Sequence, residues 1–565
     1  MPRLGKGTAT VLKIGLGFTL MHLFAPRVMD GYTPGENLTM SWLKKPLPAA
    51  LAVVLLWTAC RLLFLLHSGL PQPGVHDEFS YLLGADTFAH GRLANPPLEL
   101  SKFFDSPHNL QNPTYASKYP PGQSMFLALG QVLFGSPFYG VLIGNALMLF
   151  SICLMLYAWV PPRWALAMSF MFALAMNPAM YWTTTYWGGS VAASGGALVL
   201  LAVGIYRQRQ TPLAGALFSA GALLLFWTRP YEGGLFTLAV LIVFFKELWP
   251  RLKRGAVVAA VSLFALGVGW TCYDNKAITG HAFEFPHDLY MRQYQVQPVF
   301  WFQPLRPQPP YSHPRLAGLH GTYGEEAGVY RELGQRWQSI FIGLMRSLRI
   351  IGLTFGLAVL LTLLVPVAWR DPLYRKMTIV SGCFLLGLTA ETFHLQHYCA
   401  PVWAALGLMT AVWAERAWTL RMGNWRVGRA LVVLALVSPA LITPLPHLLR
   451  SFHLDGAPAT DTLKVPASDK WSTRRMDLIH QLAHLDREQL VIVRYPWPDW
   501  RVDEEWVYNG ADIDHQRVVF AHDFGPVENR ALLNHYPDRS VVLVTFDPYT
   551  GKEKVEPYSE AADKQ

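Results

Sequence analysis

The chain has 565 residues, of which 52% are hydrophobic and only 15% charged, where soluble globular proteins carry about 25% charged residues. With many apolar runs near membrane-spanning length, this excludes an ordinary soluble enzyme and points to a polytopic membrane protein with a soluble tail. The net charge of +9 suits basic cytoplasmic loops, and with no Arg/Lys block or nucleic-acid motif no nucleic-acid partner is expected.

Residues 1–46 carry charge at Pro2–Gly7 and a mildly apolar stretch at Thr8–Pro26, without a small-residue cleavage site. They read as a cytoplasmic or interfacial segment, with a span at 8–26 as the alternative. The first clear span is about Pro48 to Leu70, preceded by Lys44 and Lys45, so it should run from inside to outside.

Then comes "GVHDEFSYLLGADTFAHGRL", Gly74 to Leu93. Leu82, Ala85, Phe88 and Ala89 form an apolar stripe at helical spacing, which predicts an amphipathic helix on the membrane surface. Asp77 stands at its start as a candidate N-cap, and Glu78 favours the helix dipole. A capping carboxylate can still offer its second oxygen to a substrate.

In "SKYPPG", Ser117 to Gly122, two prolines stiffen the turn after Tyr119 and hold Lys118 at the lipid–water boundary. Lys118 either snorkels to headgroups or clamps a lipid phosphate. Gln123 to Phe134 is too short to span and should lie along the outer face, with a half-inserted hairpin as the alternative.

Further spans are expected at about 138–159, 163–181, 189–206, 212–228, 233–248, 255–272, 348–369, 377–394, 399–416 and 428–447, about 11 in all. The loops "PPR", "YRQRQ", "KELWPRLKR", "WRDPLYRK" and "ERAWTLRMGNWR" all carry Arg or Lys and belong inside. "TTTYWGG", "RPYEGG" and "ETFHLQHY" hold one basic residue, Arg229, and belong outside. Two long outer loops, about 71–137 and 273–336, are functional or disordered by length, and the aromatics in the second argue against disorder.

Arg229 in "FWTRPYEGG" stands against the charge bias; it pairs with Glu232 or offers its planar fork to a phosphate. In "ETFHLQHYCAP", Glu391, His394, His397 and Tyr398 would share nearly one helix face. Polar packing, a substrate cleft and, from His-x-x-His, a metal site are the readings there. In "NPAMYWTTTYWGGSVAASGG" the small residues suit close helix packing, while Tyr186 and Trp187 either line a sugar cleft or form an aromatic belt.

The five cysteines, Cys60, Cys153, Cys272, Cys383 and Cys399, lie far apart without metal-type spacing and are expected as buried apolar residues. Beyond Leu448, short β-branched runs such as "REQLVIVRYP", "HQRVVFAHDFG" and "RSVVLVTFD" alternate with helical patterns. This is a small α/β domain on the outer face, expected to be structural or to dock. The division is then 1–46, a membrane domain over 47–448, and 449–565.

Together "HDEFSYLLGADTFAHGRL", "KYPPGQSMFLALGQVLFG", "FWTRP" and "HYCAP" resemble the GT-C superfamily of membrane glycosyltransferases, nearest to family 39-type enzymes such as protein O-mannosyltransferases and lipid A aminoarabinose transferases. The resemblance covers roughly Pro48 to Leu448; the C-terminal domain is outside the general pattern. It implies transfer, with inversion, from a polyprenyl-phosphate-type lipid-linked sugar donor to a glycan, lipid or protein acceptor on the outer face of a bacterial-type inner membrane. Asp77 matches the family's acidic position as general base, with Glu78 second. Lys118 and Arg229 would hold the donor phosphate. Tyr119, Tyr186, Trp187, His394, His397 and Tyr398 would line the cleft. Some GT-C enzymes use a divalent metal; nothing in these residues requires a metal or other cofactor. The competing readings are a transporter or lipid flippase, and a non-catalytic scaffold for the C-terminal domain. Transporters keep ionisable groups at mid-membrane and often have repeated halves, whereas the polar residues here gather at outer span ends.

Overall fold

The computed structural model describes residues 41–177, 180–333, 338–442, 471–496 and 501–559. The expected segment 1–46 lies outside the described residues up to residue 40, as does the boundary near 448. The described chain is mostly helical, and each expected span from Pro48 onward corresponds, where described, to a helix or helix pair. Among the described residues, five helices are long and apolar enough to cross a membrane: Pro46–Leu66, Phe138–Trp159, Gly189–Gln208, Pro230–Arg251 and Arg254–Thr279. The protein is thus an integral membrane protein by the length and composition of its helices.

The other apolar helices are shorter, and proline accounts for several of the breaks. Pro162–Ala175 stops before Asn177, whose neighbour in sequence is Pro178, and a residue before proline is pushed out of the α region. Pro401 holds Gln396–Val402 in a 3₁₀ helix ahead of Trp403–Ala417. The segment expected as one span at 348–369 is a broken pair, Gln338–Phe355 and Leu357–Leu364, bent by 115° at Gly356, where φ is +61°.

The small residues of "GGSVAASGG" are spent on close packing. A Cβ on Gly189 would lie 2.3 Å from Trp182, on Gly195 2.8 Å from Gly221 O, and on Gly196 2.3 Å from Pro401 O. The Gly189–Gln208 helix is accordingly buried along most of its length. Of the cysteines, Cys153 and Cys399 are buried as expected, but Cys60 and Cys383 are exposed on the bundle surface.

At one end of the bundle Arg207 and Lys376 both pair with Glu247, Arg416 pairs with Asp371 at 2.9 Å, and Tyr206 Oη donates to Arg251 O at 2.6 Å. These are the loops expected inside. The loops expected outside meet at the other end.

The 71–137 loop holds the His76–Ala89 helix, the Pro121–Phe134 helix and a two-strand ribbon of β1 (Asn109–Leu110) and β2 (Ala116–Ser117). Pro121–Phe134 is a separate short helix, as its length predicts; its Gly130 meets Gly140 backbone to backbone. The 273–336 loop is ordered over Pro286–Tyr294, Pro314–His320 and Glu325–Leu333.

The C-terminal unit is a four-stranded sheet, with β3 (Gln489–Arg494) parallel to both β4 (Val518–His522) and β5 (Ser540–Phe546), and β6 (Glu553–Pro557) antiparallel at the edge. Leu490 and Ile492 face one core, Val491 and Val493 the other, as alternation on a strand requires.

The His76–Ala89 helix is wedged between these parts. Tyr81 and Ala85 belong to the core of the helical bundle, Leu83 to one core of the sheet domain, and Phe79 to the other. Phe79 stacks on Tyr508 at 4.2 Å and on Trp471 at 5.7 Å, contacts worth about 0.5–1.5 kcal/mol each beyond their burial. The expected surface helix with one apolar stripe is therefore buried on several sides, because the sheet domain covers the faces that would otherwise meet water.

Candidate active site

The start of the His76–Ala89 helix places its two acids oppositely. Val75, not Asp77, takes the cap position, so the expected cap at Asp77 is absent. The carboxylate that satisfies the free amides is Glu78: its Oε2 accepts from Gly74 N (2.6 Å) and Val75 N (3.2 Å), and its Oε1 from Tyr186 N (2.8 Å). Glu78 is 3% exposed, and burial pushes its carboxyl up to about 7. Asp77, one residue earlier, points instead into a cavity of about 450 Å³.

That cavity lies where the loops expected outside meet, and it brings together Asp77, Lys118, Tyr119, Arg229 and Tyr398 from the predicted set. Tyr119 Oη donates to Asp77 Oδ1, and the Tyr119 ring stacks on Tyr81 at 4.3 Å. The Lys118 side chain is buried over the rings of Tyr119 (5.1 Å) and Tyr290 (4.8 Å), so it does not snorkel. Burial, which outweighs the pull of Glu326 and Asp77, brings its ammonium down to about 8; it remains mostly charged at neutral pH.

Arg229 takes the ion pair expected for it and still faces the cavity. It pairs with Glu232 at 3.6 Å and also lines the cavity, its guanidinium 4.4 Å over the Tyr398 ring. Gly122 sets the spacing between the two cations: a Cβ there would lie 2.6 Å from Thr228 Cγ2 and 2.7 Å from Trp227 O. The Lys118 turn thus packs directly against the helix end that carries Arg229.

Most of the remaining candidates lie outside the cavity. Residues 391–395 are not helical; Glu391 bridges to Phe300, and the helix resumes only at Gln396. The three- and four-residue spacings therefore do not place these side chains on one face. Glu391 and Tyr398 line the cavity, His394 packs over Gly343, and His397 sits against Trp187 (4.4 Å) with Nδ1 3.3 Å from Tyr181 Oη. Tyr186 donates to Pro71 O at 2.9 Å and, with Trp187, is buried outside the cavity lining. His76 bonds Tyr508 Oη through Nδ1 at 2.7 Å, tying the helix to the sheet domain.

Sequence reasoning missed His108, Tyr81, Tyr231, Phe300 and Glu326 in the lining. Glu326 is held by His320 (2.6 Å), Gln295 and Gln297. Only the proline-led turn "SPHN" marked the first of these in the sequence. Burial also pushes the Glu391 carboxyl well above its ordinary value. Among the described residues no group of three or more His, Cys, Asp or Glu side chains is arranged to hold a metal ion.

Chemically, the cavity offers a carboxylate able to take a proton, two cations able to hold an anionic leaving group, and aromatic walls of the kind that stack on sugar rings. No protein-family model and no curated protein matches the chain. Among solved structures it is similar to ArnT from Cupriavidus metallidurans in the apo state, with 15% identity and a TM-score of 0.47 over 89% of this chain and 94% of that one. The values for the same protein bound to undecaprenyl phosphate are 14%, 0.47, 88% and 93%. It is also similar to the Archaeoglobus fulgidus oligosaccharyltransferase in the apo form, with 11% identity and a TM-score of 0.44 over 90% of this chain and 70% of that one.

Proposed function

We propose that the protein is a membrane glycosyltransferase that moves a sugar from a polyprenyl-phosphate-type lipid donor to an acceptor hydroxyl on the extracytoplasmic face, with inversion. The observation that carries this reading is the convergence of Asp77, Lys118 and Arg229 on one cavity at the outer helix ends. Asp77 takes the acceptor's proton as the hydroxyl attacks the anomeric carbon. The bond to the phosphate oxygen breaks on the opposite side, and Lys118 and Arg229 stabilise the charge that develops on the leaving phosphate. Tyr119 orients Asp77, and Tyr398 supports Arg229. Glu78 serves the reaction through the fold, by fixing the helix start and the Tyr186 backbone. In this reading residues 47–448 form the catalytic unit and the sheet domain stands outside, with the N-terminus in the cytoplasm.

The test is turnover of a panel of polyprenyl-phosphate sugars by purified wild type and Asp77→Asn. Wild type is expected to consume at least one donor, and the variant to lose about 10²–10⁴-fold in rate with its thermal unfolding unchanged. No turnover of any donor, or equal turnover by a folded variant, overturns the assignment.

A further inference from the structure

His108 is held in a backbone conformation that its residue type disfavours. Ser106 to Asn109 form a turn closed by Asn109 N donating to Ser106 O at 3.3 Å, with Pro107 second and His108 third. His108 has φ +68°, and among the described residues no other non-glycine has a positive φ. In a proline-led turn of this kind the third position belongs to glycine or asparagine. Glycine would satisfy the backbone without strain, yet an imidazole stands there.

Three hydrogen bonds hold it in place. Its N–H donates to Tyr290 Oη (2.7 Å), and its carbonyl accepts from Ser80 Oγ (2.7 Å) and Lys118 N (3.2 Å). Strain that the surroundings over-determine in this way is characteristic of functional positions.

The ring so placed lines the cavity with Nε2 3.8 Å from Asp77 Oδ2. Its Nδ1 is buried without a hydrogen-bond partner. Burial, reinforced by the charge of Lys118, holds the imidazole well below its ordinary range, so the ring stays neutral. The tautomer that suits its surroundings carries the proton on Nε2, facing the carboxylate. Asp77 then has Tyr119 Oη on one oxygen and His108 beside the other.

We infer that His108 is a positioning residue for Asp77, closing its neutral Nε2–H onto Oδ2 as the acceptor hydroxyl enters. At 3.8 Å the pair stands outside hydrogen-bond range, and catalytic contacts commonly tighten only in the substrate complex. Of the carboxylate's four lone-pair positions, one then faces Tyr119 and one His108, which leaves two for the proton taken from the acceptor and holds the carboxylate plane in place. His108 keeps its own proton throughout. This inference rests on the glycosyltransferase reading and deepens it.

The experiment compares wild type, Asp77→Asn, His108→Gly and His108→Asn with the donor that wild type turns over, measuring kcat, donor KM and thermal unfolding. Glycine relieves the backbone strain and removes the imidazole. His108→Gly is therefore expected to unfold no earlier than wild type while kcat falls about 10- to 100-fold and donor KM holds. His108→Asn, which tolerates the backbone and keeps an N–H donor, and added imidazole with His108→Gly should each restore part of kcat. A His108→Gly protein with wild-type kcat overturns the inference while leaving Asp77 in its role, provided Asp77→Asn is inactive. Lower stability with kcat and KM falling together makes His108 merely structural and likewise overturns it. Failure of wild type on every donor brings down the glycosyltransferase reading and this inference with it.

Discussion

Arg315→Met should release the sheet domain from the outer loops. Arg315 comes from the Pro314–His320 helix, and its Nε meets Glu505 Oε2 at 2.8 Å with the two side chains 5% and 0% exposed. The same guanidinium donates to Arg501 O (2.8 Å) and Val502 O (3.2 Å) and stacks on Tyr495 at 3.8 Å. Burial alone would raise the Glu505 carboxyl, but Arg315, helped by His522 and His313, outweighs it and holds the group well below the usual range. Removing one partner of such a pair strands a buried charge, at about 3–5 kcal/mol. At about 1.4 kcal/mol per factor of ten, the undocked population should rise by about a hundred to several thousandfold. Limited proteolysis reads that population when opening is fast relative to cleavage, and hydrogen exchange in β3 reads it independently. The companion change is Glu505→Gln, because Tyr495 Oη (2.5 Å) and Val507 N (2.8 Å) both bond Oε1, which a glutamine retains. Arg315→Met with Glu505→Gln should therefore recover more than half the loss. A single variant whose cleavage rate stays within about threefold of wild type would refute the assignment of docking energy to this pair.

Acid should loosen the same interface. His313 and His522 stack at 3.9 Å, each bonded through Nε2 to Asp105 O at 2.9 Å, and burial holds both imidazoles below their ordinary 6.5. A depressed folded-state value means stability present above pH 6.5 and lost as pH falls from there, with Glu505 adding its loss below its ordinary 4.5; thermal unfolding between pH 8 and 4 measures it. Glu78 acts with the opposite sign: raised from 4.5 to about 7, it contributes stability below pH 4.5 that disappears as pH rises through 7. Glu78→Gln should lose about 1–3 kcal/mol by leaving a buried amide unsatisfied, and turnover per folded molecule should stay well above that of Asp77→Asn. Gly122→Ala should cost about 1–3 kcal/mol by overpacking and lower turnover, because the new methyl drives the Lys118 turn off Trp227 and Thr228; unchanged activity would show that the spacing of the two cations is not critical.

The sequence made the helical bundle and the sheet domain legible, because apolar length and β-branched runs are local signals. Asp77, Lys118 and Arg229 stood out as candidates because each is a charged residue in a loop or short helix between apolar segments. What escaped depended on contacts distant in sequence. Glu78 and Asp77 are equivalent acids by position, and only Tyr186 N, more than a hundred residues away, decides which one is buried. Periodicity put Glu391 to Tyr398 on one helix face, but pairing with the 299–301 segment straightened the chain there. His108 left no trace beyond a turn pattern, since the backbone angle that singles it out is fixed by Tyr290, Ser80 and Lys118 together.

The wedged helix also constrains how such a chain can change. Phe79 and Leu83 are inherited from the membrane half but take their cover from Trp471, Tyr508 and the sheet. A chain that exchanged its C-terminal domain for another would keep every residue of the cavity wall and still lose the shelf on which Asp77's helix rests. The two halves can therefore drift only together, and the face of the sheet that never touches a substrate should be under the same selection as the acid it steadies.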